Sequence, residues 1–376
     1  MTEKEKYARL ALHLLKGCGP ACFSEALAVF GSAEAFLKFL GDVNTKKSKP
    51  GRQSFQISRI IRNNINIADV LTWAKNYALK DFIVFGEAKY PALLKEIADP
   101  PCALFIKGNH KLLTEKNCIS VVGTRKISAY GVYLTKKICS ELVDRGFCIV
   151  SGMAFGVDAL AHETVLANNG NTIAVLGAGI IEPMPRSNWR LYEKIKQKGL
   201  LISEFYEQPV IAKGIFPRRN RIIAGLSKAT IIIEAPEHSG ALITAKLAND
   251  YNREVYAVPG NIGLENSQGC NYLIKENIGQ IFTSVNQLIT ELHLQMVEKS
   301  AKNETVTNTS KINIEKSQGI EQPILRDLLG SKPMSLGEIQ KYLQVDVKIL
   351  RRLLINLELS GEIYRDYTGR YGLSKD

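Results

Sequence analysis

The sequence predicts an α/β fold: a mostly parallel sheet with helices on both faces, preceded by a small helical segment and followed by a short C-terminal domain. Three observations lead there. Apolar runs of strand length recur at 82–85, 103–106, 118–122, 148–150, 172–176, 200–202, 230–233 and 255–258. Several alternate with helix-length segments, at 130–145, 158–168 and 241–251. The runs are continuously apolar rather than alternating, as in strands buried on both faces. Strands of that kind joined by helices give an extended Rossmann-like layer, expected over 81–297.

The elements outside the layer follow from their own spacing. Residues 1–76 are expected to form a helical domain, since Leu10, Leu14 and Leu15, then Phe23, Ala26, Leu27 and Phe30, then Ala35, Phe36, Phe39 and Leu40 recur at helical intervals. Gly17-Cys18-Gly19-Pro20 makes a tight turn between the first two runs. It resembles a helix-hairpin-helix, whose backbone N–H groups can hold a phosphate; an ordinary interhelical turn fits the same residues. Residues 298–320, rich in Lys, Asn, Thr and Ser, read as a linker. Over 321–376, Ile324, Leu328 and Leu329 suggest one helix, Ser335 with Glu338 a capping box opening a second, and Val347 to Leu357 a third. Short β-like pieces at 362–364 and 370–372 flank a turn, completing a winged-helix layout.

Composition narrows the class. The 376 residues are 45% hydrophobic and 23% charged, which excludes a disordered chain, a collagen-like repeat and a coiled coil. The net charge of +12 favours a polyanionic partner: nucleic acid, an anionic membrane surface or a phosphorylated ligand. Seven Cys at irregular spacing, with no CxxC and no His at zinc-ligand distance, point to reduced thiols and no metal. With no signal core and no apolar stretch long enough to span a bilayer, a soluble cytoplasmic protein without membrane contact is expected.

Ligands of an open α/β sheet bind at the carboxyl ends of its strands, and four such ends carry unusual loops. Val121-Val122-Gly123-Thr124-Arg125 combines close backbone approach with a guanidinium fork. Ser151-Gly152-Met153-Ala154-Phe155-Gly156-Val157-Asp158 runs through two glycines into a helix, Gly177-Ala178-Gly179 follows a third strand, and Ser239-Gly240-Ala241-Leu242-Ile243-Thr244-Ala245 is a small-residue turn. Gly177-x-Gly179 has Glu182 where the dinucleotide fingerprint needs a third glycine, and no P-loop motif occurs. The strongest local signal is charge. From 208 to 233 there is no acid, while Phe216-Pro217-Arg218-Arg219-Asn220-Arg221 packs three guanidiniums into six positions ahead of an apolar continuation. The expected picture is a helix on the sheet with Arg at its leading edge, fronting an acid-poor cleft that holds a polyanion. Asp158 and His162, four apart on one helix face, are the nearest thing to an acid–base pair; structural roles fit them as well. The expected protein is a binder and not an enzyme, with no cofactor.

Several of these stretches, together with Ala161-His162, Ala257-Val258-Pro259-Gly260 and Gly269-Cys270-Asn271, resemble the bacterial DNA processing protein A (DprA, or Smf) family in order and spacing. Tyr90-Pro91, Pro100-Pro101 and Lys107-Gly108 fit its pattern upstream. The resemblance implies a protein that binds single-stranded DNA without strong sequence preference, protects incoming DNA and delivers the RecA recombinase to it in natural transformation and recombination, and that forms a homodimer through the Rossmann layer. Carried over by motif, Gly123, Thr124, Arg125, Ser151, Gly152 and Gly156 would contact phosphate. Arg218, Arg219, Asn220 and Arg221 would line the strand's path. Phe216 and Phe155 would meet bases, and Ser239, Gly240 and Thr244 would close the pocket floor. Where the family usually has an Asp and a Tyr-Pro after the third loop, this chain has Ile181 and Met184-Pro185.

Two rival readings fit the same residues. Related Rossmann-like nucleotide hydrolases bind at the same strand ends, with Asp158 or Glu204 then catalytic. A regulator reading duplex DNA through the winged helix is the other.

Overall fold

A computed structural model describes residues 1–44, 81–207, 215–292, 333–343, 347–366 and 369–374, with Ile57, Ile60, Asp69, Val70, Thr72, Ala74 and Leu329 singly. It forms two units, 1–301 and 302–376. The expected linker and the loop at 46–52 fall outside the described residues.

In the first unit the strands β1 (Phe82–Val84), β2 (Ala103–Gly108), β3 (Cys118–Val122), β4 (Cys148–Ser151), β5 (Thr172–Leu176), β6 (Leu200–Ser203), β7 (Ala229–Ile232), β8 (Glu254–Ala257) and β9 (Gln280–Ile281) form one nine-stranded sheet. Their order is β1-β2-β6-β5-β4-β3-β7-β8-β9. From β6 to β9 every pairing is parallel; β2 joins β6, and β1 joins β2, antiparallel. This is the extended Rossmann-like layer the sequence predicts. Only the two-residue β9 has no counterpart among the expected runs, because it is too short and polar to register as one.

The period-2 geometry of β3 explains why its run is apolar throughout. Cys118 and Val122 pack on one face, with Ile222 and Ile223 of the helix Ile215–Leu226 and with Ala241 and Ala245 of the helix Gly240–Asp250. Ile119 and Val121 pack on the other, with Ile138 and Leu142 of the helix Ala129–Asp144 and Val157 and Ala161 of the helix Val157–Ala167. Ser120, fully buried, donates to Ile223 O at 2.9 Å and pairs with Ser227 Oγ at 2.7 Å, so its hydroxyl is satisfied.

The helices Glu3–Leu14, Pro20–Phe30 and Ala33–Asn44 carry the N-terminal apolar spacing. Leu10 enters the cluster of Phe82, Val84 and Phe105, covering the antiparallel end of the sheet. Glu5 accepts the Ala33 and Glu34 N–H groups at 3.0 and 3.1 Å, capping the third helix from the first.

The second unit contains the helices Leu336–Leu343 and Val347–Leu359 and the hairpin β10 (Ile363–Arg365) and β11 (Tyr371–Leu373). The capping box forms as read: Ser335 N–H donates to Glu338 Oε2 at 2.7 Å and Glu338 N–H to Ser335 Oγ at 3.4 Å. Of the first expected helix in this domain, only Leu329 is described.

Candidate nucleic-acid interface

β3 lies between β4 and β7, so the connection leaves β3 toward β4 on one side while β7 begins the other half. That reversal opens a crevice at the carboxyl ends of β3 and β7. The crevice is a cleft of about 600 Å³, lined by Gly123–Arg125 after β3, Ala154 and Asp158 after β4, and 236–241 with Thr244 after β7. Arg219, Asn220 and Ile223 come from the helix between β6 and β7, and Glu265 and Gln268 from the helix Glu265–Lys275.

The β3 loop is held rigidly. A Cβ on Gly123 would sit 2.6 Å from Val157 Cγ2 and 2.9 Å from Glu234 O, so glycine lets the loop lie against both neighbours. Thr124 N–H donates to Glu234 O at 2.7 Å, and Thr124 O accepts the Val157 N–H at 3.2 Å. The Glu234 carboxylate accepts Ser128 N–H at 3.0 Å and the Ser128 hydroxyl, fixing the next turn. Arg125 stands exposed at the tip of this braced loop, on the cleft wall.

The β4 loop is strapped from below. Ser151 is fully buried and its hydroxyl donates to Val121 O at 2.7 Å. Gly152 N–H donates to Asp158 Oδ2 at 3.2 Å, while Gly152 O accepts from Arg219 Nη1 at 2.5 Å. Arg219 also donates to Val175 O and, through Nε, to Asn220 Oδ1 at 3.1 Å. Burial lowers its pKa to about 10, an effect Asp158 opposes and Arg125 adds to. Asp158 is pushed up from the usual carboxylate value by burial, against the pull of Arg219 and of the Gly152 and Ala154 N–H groups. Gly156 takes φ +76°, and a Cβ there would overlap Thr124 O. Phe155, between these fixed points, is 48% exposed.

Opposite them the helix Gly240–Asp250 points its N-terminus at the cleft. Ser239 caps it, accepting the Ala241 N–H at 3.1 Å. A Cβ on Gly240 would meet nothing within 4 Å, so this glycine leaves the cleft mouth open rather than relieving a clash. Asn220 Nδ2 donates to Gly240 O at 3.2 Å and Thr244 Oγ1 to the same oxygen at 3.4 Å. The helix end and the guanidiniums together make a region favourable to an anion.

Of the fifteen residues the sequence singles out, eight line this cleft: Gly123, Thr124, Arg125, Arg219, Asn220, Ser239, Gly240 and Thr244. Six others are placed in its frame or away from it, for physical reasons. Ser151 has no outward hydroxyl, and Gly152 and Gly156 serve close backbone packing. Arg221 is buried, pairing with Glu204 Oε1 at 2.5 Å and with Asp99 Oδ2 at 3.5 Å, and donating to Asp99 O. Arg218 is half exposed beside Glu204 at 3.6 Å, in a separate hollow shared with the Gly17–Pro20 turn. Phe155 is exposed on the loop without lining the cleft. The Phe216 side chain lies outside the described residues. The leading-edge arrangement of arginines is therefore corrected: two of the three are buried and bonded to protein.

The acid-poor cleft is also corrected, since Asp158, Glu237 and Glu265 contribute to its lining. The sequence reading missed His238, Glu265 and Gln268 as lining residues. His238 directly precedes the small-residue turn and falls to the strand-end rule, whereas Glu265 and Gln268 arrive from a distant helix with no local signal. Asp158 and His162 form no dyad: His162 Nδ1 bonds Thr172 Oγ1 at 2.6 Å and is fully buried. Glu204 is committed to Arg221. Among the described residues no cluster of three His, Cys, Asp or Glu is placed to hold a metal, and no helix is long and apolar enough to cross a membrane.

A Rossmann-like layer with a braced arginine loop facing a helix N-terminus at its switch point defines an α/β protein whose cleft has the chemistry of an anion site. Residues 81–293 match the family model described as DNA recombination-mediator protein A, and the chain belongs to that family. It is 38% identical over 303 residues to Protein Smf of Synechocystis sp., covering 78% of this chain and 74% of that protein. To the DNA processing protein DprA of Streptococcus pneumoniae it is 42% identical over 204 residues, 54% of this chain and 71% of that one. The X-ray structure of S. pneumoniae DprA superposes with a TM-score of 0.57 at 37% identity, covering 67% of this chain and 86% of that one. DprA from Helicobacter pylori, whose structure is described as revealing a single-stranded DNA binding mode, gives 0.51 at 29% identity over 57% and 97% of the two chains.

Proposed function

We propose that the cleft between the ends of β3 and β7 holds single-stranded DNA by its sugar-phosphate chain, without strong sequence preference. The chain then acts as a recombination mediator that protects incoming DNA and delivers the RecA recombinase to it, working as a cytoplasmic homodimer without a catalytic step. The observation that carries this reading is Arg125, exposed on a loop fixed by Thr124 and Glu234, across an open gap from the helix N-terminus at Gly240. A guanidinium on one wall and backbone N–H groups on the other suit a phosphate and ignore base identity. Phe155, exposed on the neighbouring loop, offers a ring on which any base can stack. The DNA-binding mode named for the H. pylori relative supports the same ligand.

Asp158 suits an electrostatic brace rather than a general base, because its carboxylate already takes a backbone N–H and sits beside Arg219. The test is a competition of single-stranded against double-stranded oligonucleotides over a salt series. The unpaired strand should bind tighter, with log affinity falling by about 0.7 per neutralised phosphate for each decade of salt. Absence of binding at low ionic strength would overturn the proposal.

A further inference from the structure

Beyond the cleft, past the β3 loop, lies a second groove of about 730 Å³. Its walls carry Lys126, Tyr130, Pro259, Asn261 and Leu264, and Glu265 lines both this groove and the cleft. Tyr130 and Leu264 are 54% and 55% exposed, and Ile262 on the same loop is fully open to solvent. So much apolar surface beside a charged cleft marks a contact site.

The groove is preformed. Gly260 N–H donates to Asn271 Oδ1 at 3.2 Å and Asn271 Nδ2 returns to Gly260 O at 2.9 Å, anchoring the loop that carries Leu264. On the opposite side Asn266 Nδ2 donates to Lys126 O at 2.9 Å and to Glu234 Oε2 at 3.3 Å. The Glu234 carboxylate is thus occupied by Ser128 and Asn266.

We infer that this groove receives the bases of the same DNA strand after it leaves the cleft, with Tyr130 as the stacking platform. The inference rests on the proposed function, and it extends the site to a surface that function does not require. Three features select a polynucleotide. Lys126 directly follows Arg125, so the basic wall continues without a break. Glu265 stands on the divide and repels phosphate, which keeps the backbone on the Arg125–Lys126 side and turns the bases inward. An aromatic ring, an apolar wall and the Asn261 amide are what an unstacked base can use.

The test uses the full chain and labelled oligothymidines of about 4 and about 20 nucleotides, lengths bracketing one stacking site. Tyr130→Ala and Leu264→Ser should weaken the longer oligonucleotide at least about fivefold, leave the shorter one unchanged, and leave the salt slope unchanged, because stacking neutralises no phosphate. Tyr130→Trp should retain full affinity. Both sites are exposed, and matching melting curves will establish that the variants fold. Unchanged binding of the longer strand by Tyr130→Ala and Leu264→Ser, with Arg125→Ala weakened, would overturn the groove and leave the cleft standing. Loss of self-association in place of DNA affinity would overturn it as well, marking the patch as protein-binding. If Arg125→Ala binds both lengths like wild type, it is the reading of the cleft that fails.

Discussion

Replacing Arg221 with Met separates structural from DNA-contacting arginines in the run Arg218-Arg219-Asn220-Arg221. Arg221 and Glu204 are each 4% exposed and meet at 2.5 Å, and Arg221 also ties down the 99 loop through Asp99 O. Removing the guanidinium leaves the Glu204 carboxylate buried without its close partner, a loss of about 3–5 kcal/mol. For a domain of this size each kcal/mol moves Tm by roughly 2–4 °C, so a fall of roughly 6–20 °C is expected in a thermal melt. Below that transition, single-strand affinity and its salt slope should match wild type, since Arg221 lines no part of the cleft. Arg221→Met combined with Glu204→Leu should recover most of the lost stability, because a well-packed apolar pair can replace a buried ion pair. A variant that melts like wild type yet binds DNA weakly would refute this reasoning and put Arg221 on the strand's path.

Four further outcomes follow from the site. Arg125→Ala should leave the unfolding free energy within about 1 kcal/mol of wild type while weakening single-strand binding roughly tenfold or more and reducing the salt slope by about 0.7, read by fluorescence anisotropy. Gly240→Val should fold normally, because its Cβ meets open space, and should lose about tenfold in affinity as the branched side chain fills the cleft mouth. Gly156→Ala should destabilise by about 2 kcal/mol or more, since the left-handed φ and the overlap with Thr124 O both oppose a Cβ, and denaturant titration will measure it. His162, held from its ordinary 6.5 down to about 3 by burial first and Arg219 second, remains neutral in the folded state. The unfolded chain binds that proton below pH 6.5, so stability falls as pH drops through the window from 6.5 to 3, by about 2 kcal/mol between neutral pH and pH 5. A His162→Gln variant should show a correspondingly flatter pH dependence across that range.

The sheet was legible because its strands are buried on both faces. Residues such as Ile119 and Val122 must both be apolar when helices cover each side, so the runs announce themselves without periodicity. The cleft was legible in its loops for a related reason: small residues at strand ends have few uses other than close approach, and Gly123 and Gly240 fulfil two different ones. The fate of the arginines was not legible. Successive helical residues point about 100° apart, so Arg218, Arg219 and Arg221 diverge to three environments that charge alone does not distinguish. Glu204, Asp99 and the Gly152 carbonyl are brought to them by the chain's crossing of the sheet, from positions between 14 and 122 residues away in sequence for Glu204 and Asp99 in their pairings with Arg218 and Arg221. Glu265 reached the cleft wall in the same way, and Glu237 came with the β7 loop itself, just past the acid-free run, which is why a run without acids did not make a cleft without them.

Photocrosslinking of a halogenated single-stranded oligonucleotide to the full chain, followed by peptide mapping, tests the location of the strand most directly. Labelled peptides should contain the Gly123–Arg125 loop, Phe155 and the 236–244 turn, and an excess of unlabelled single strand should remove them. Adducts confined to the C-terminal unit, with those three segments unmodified, would contradict the account.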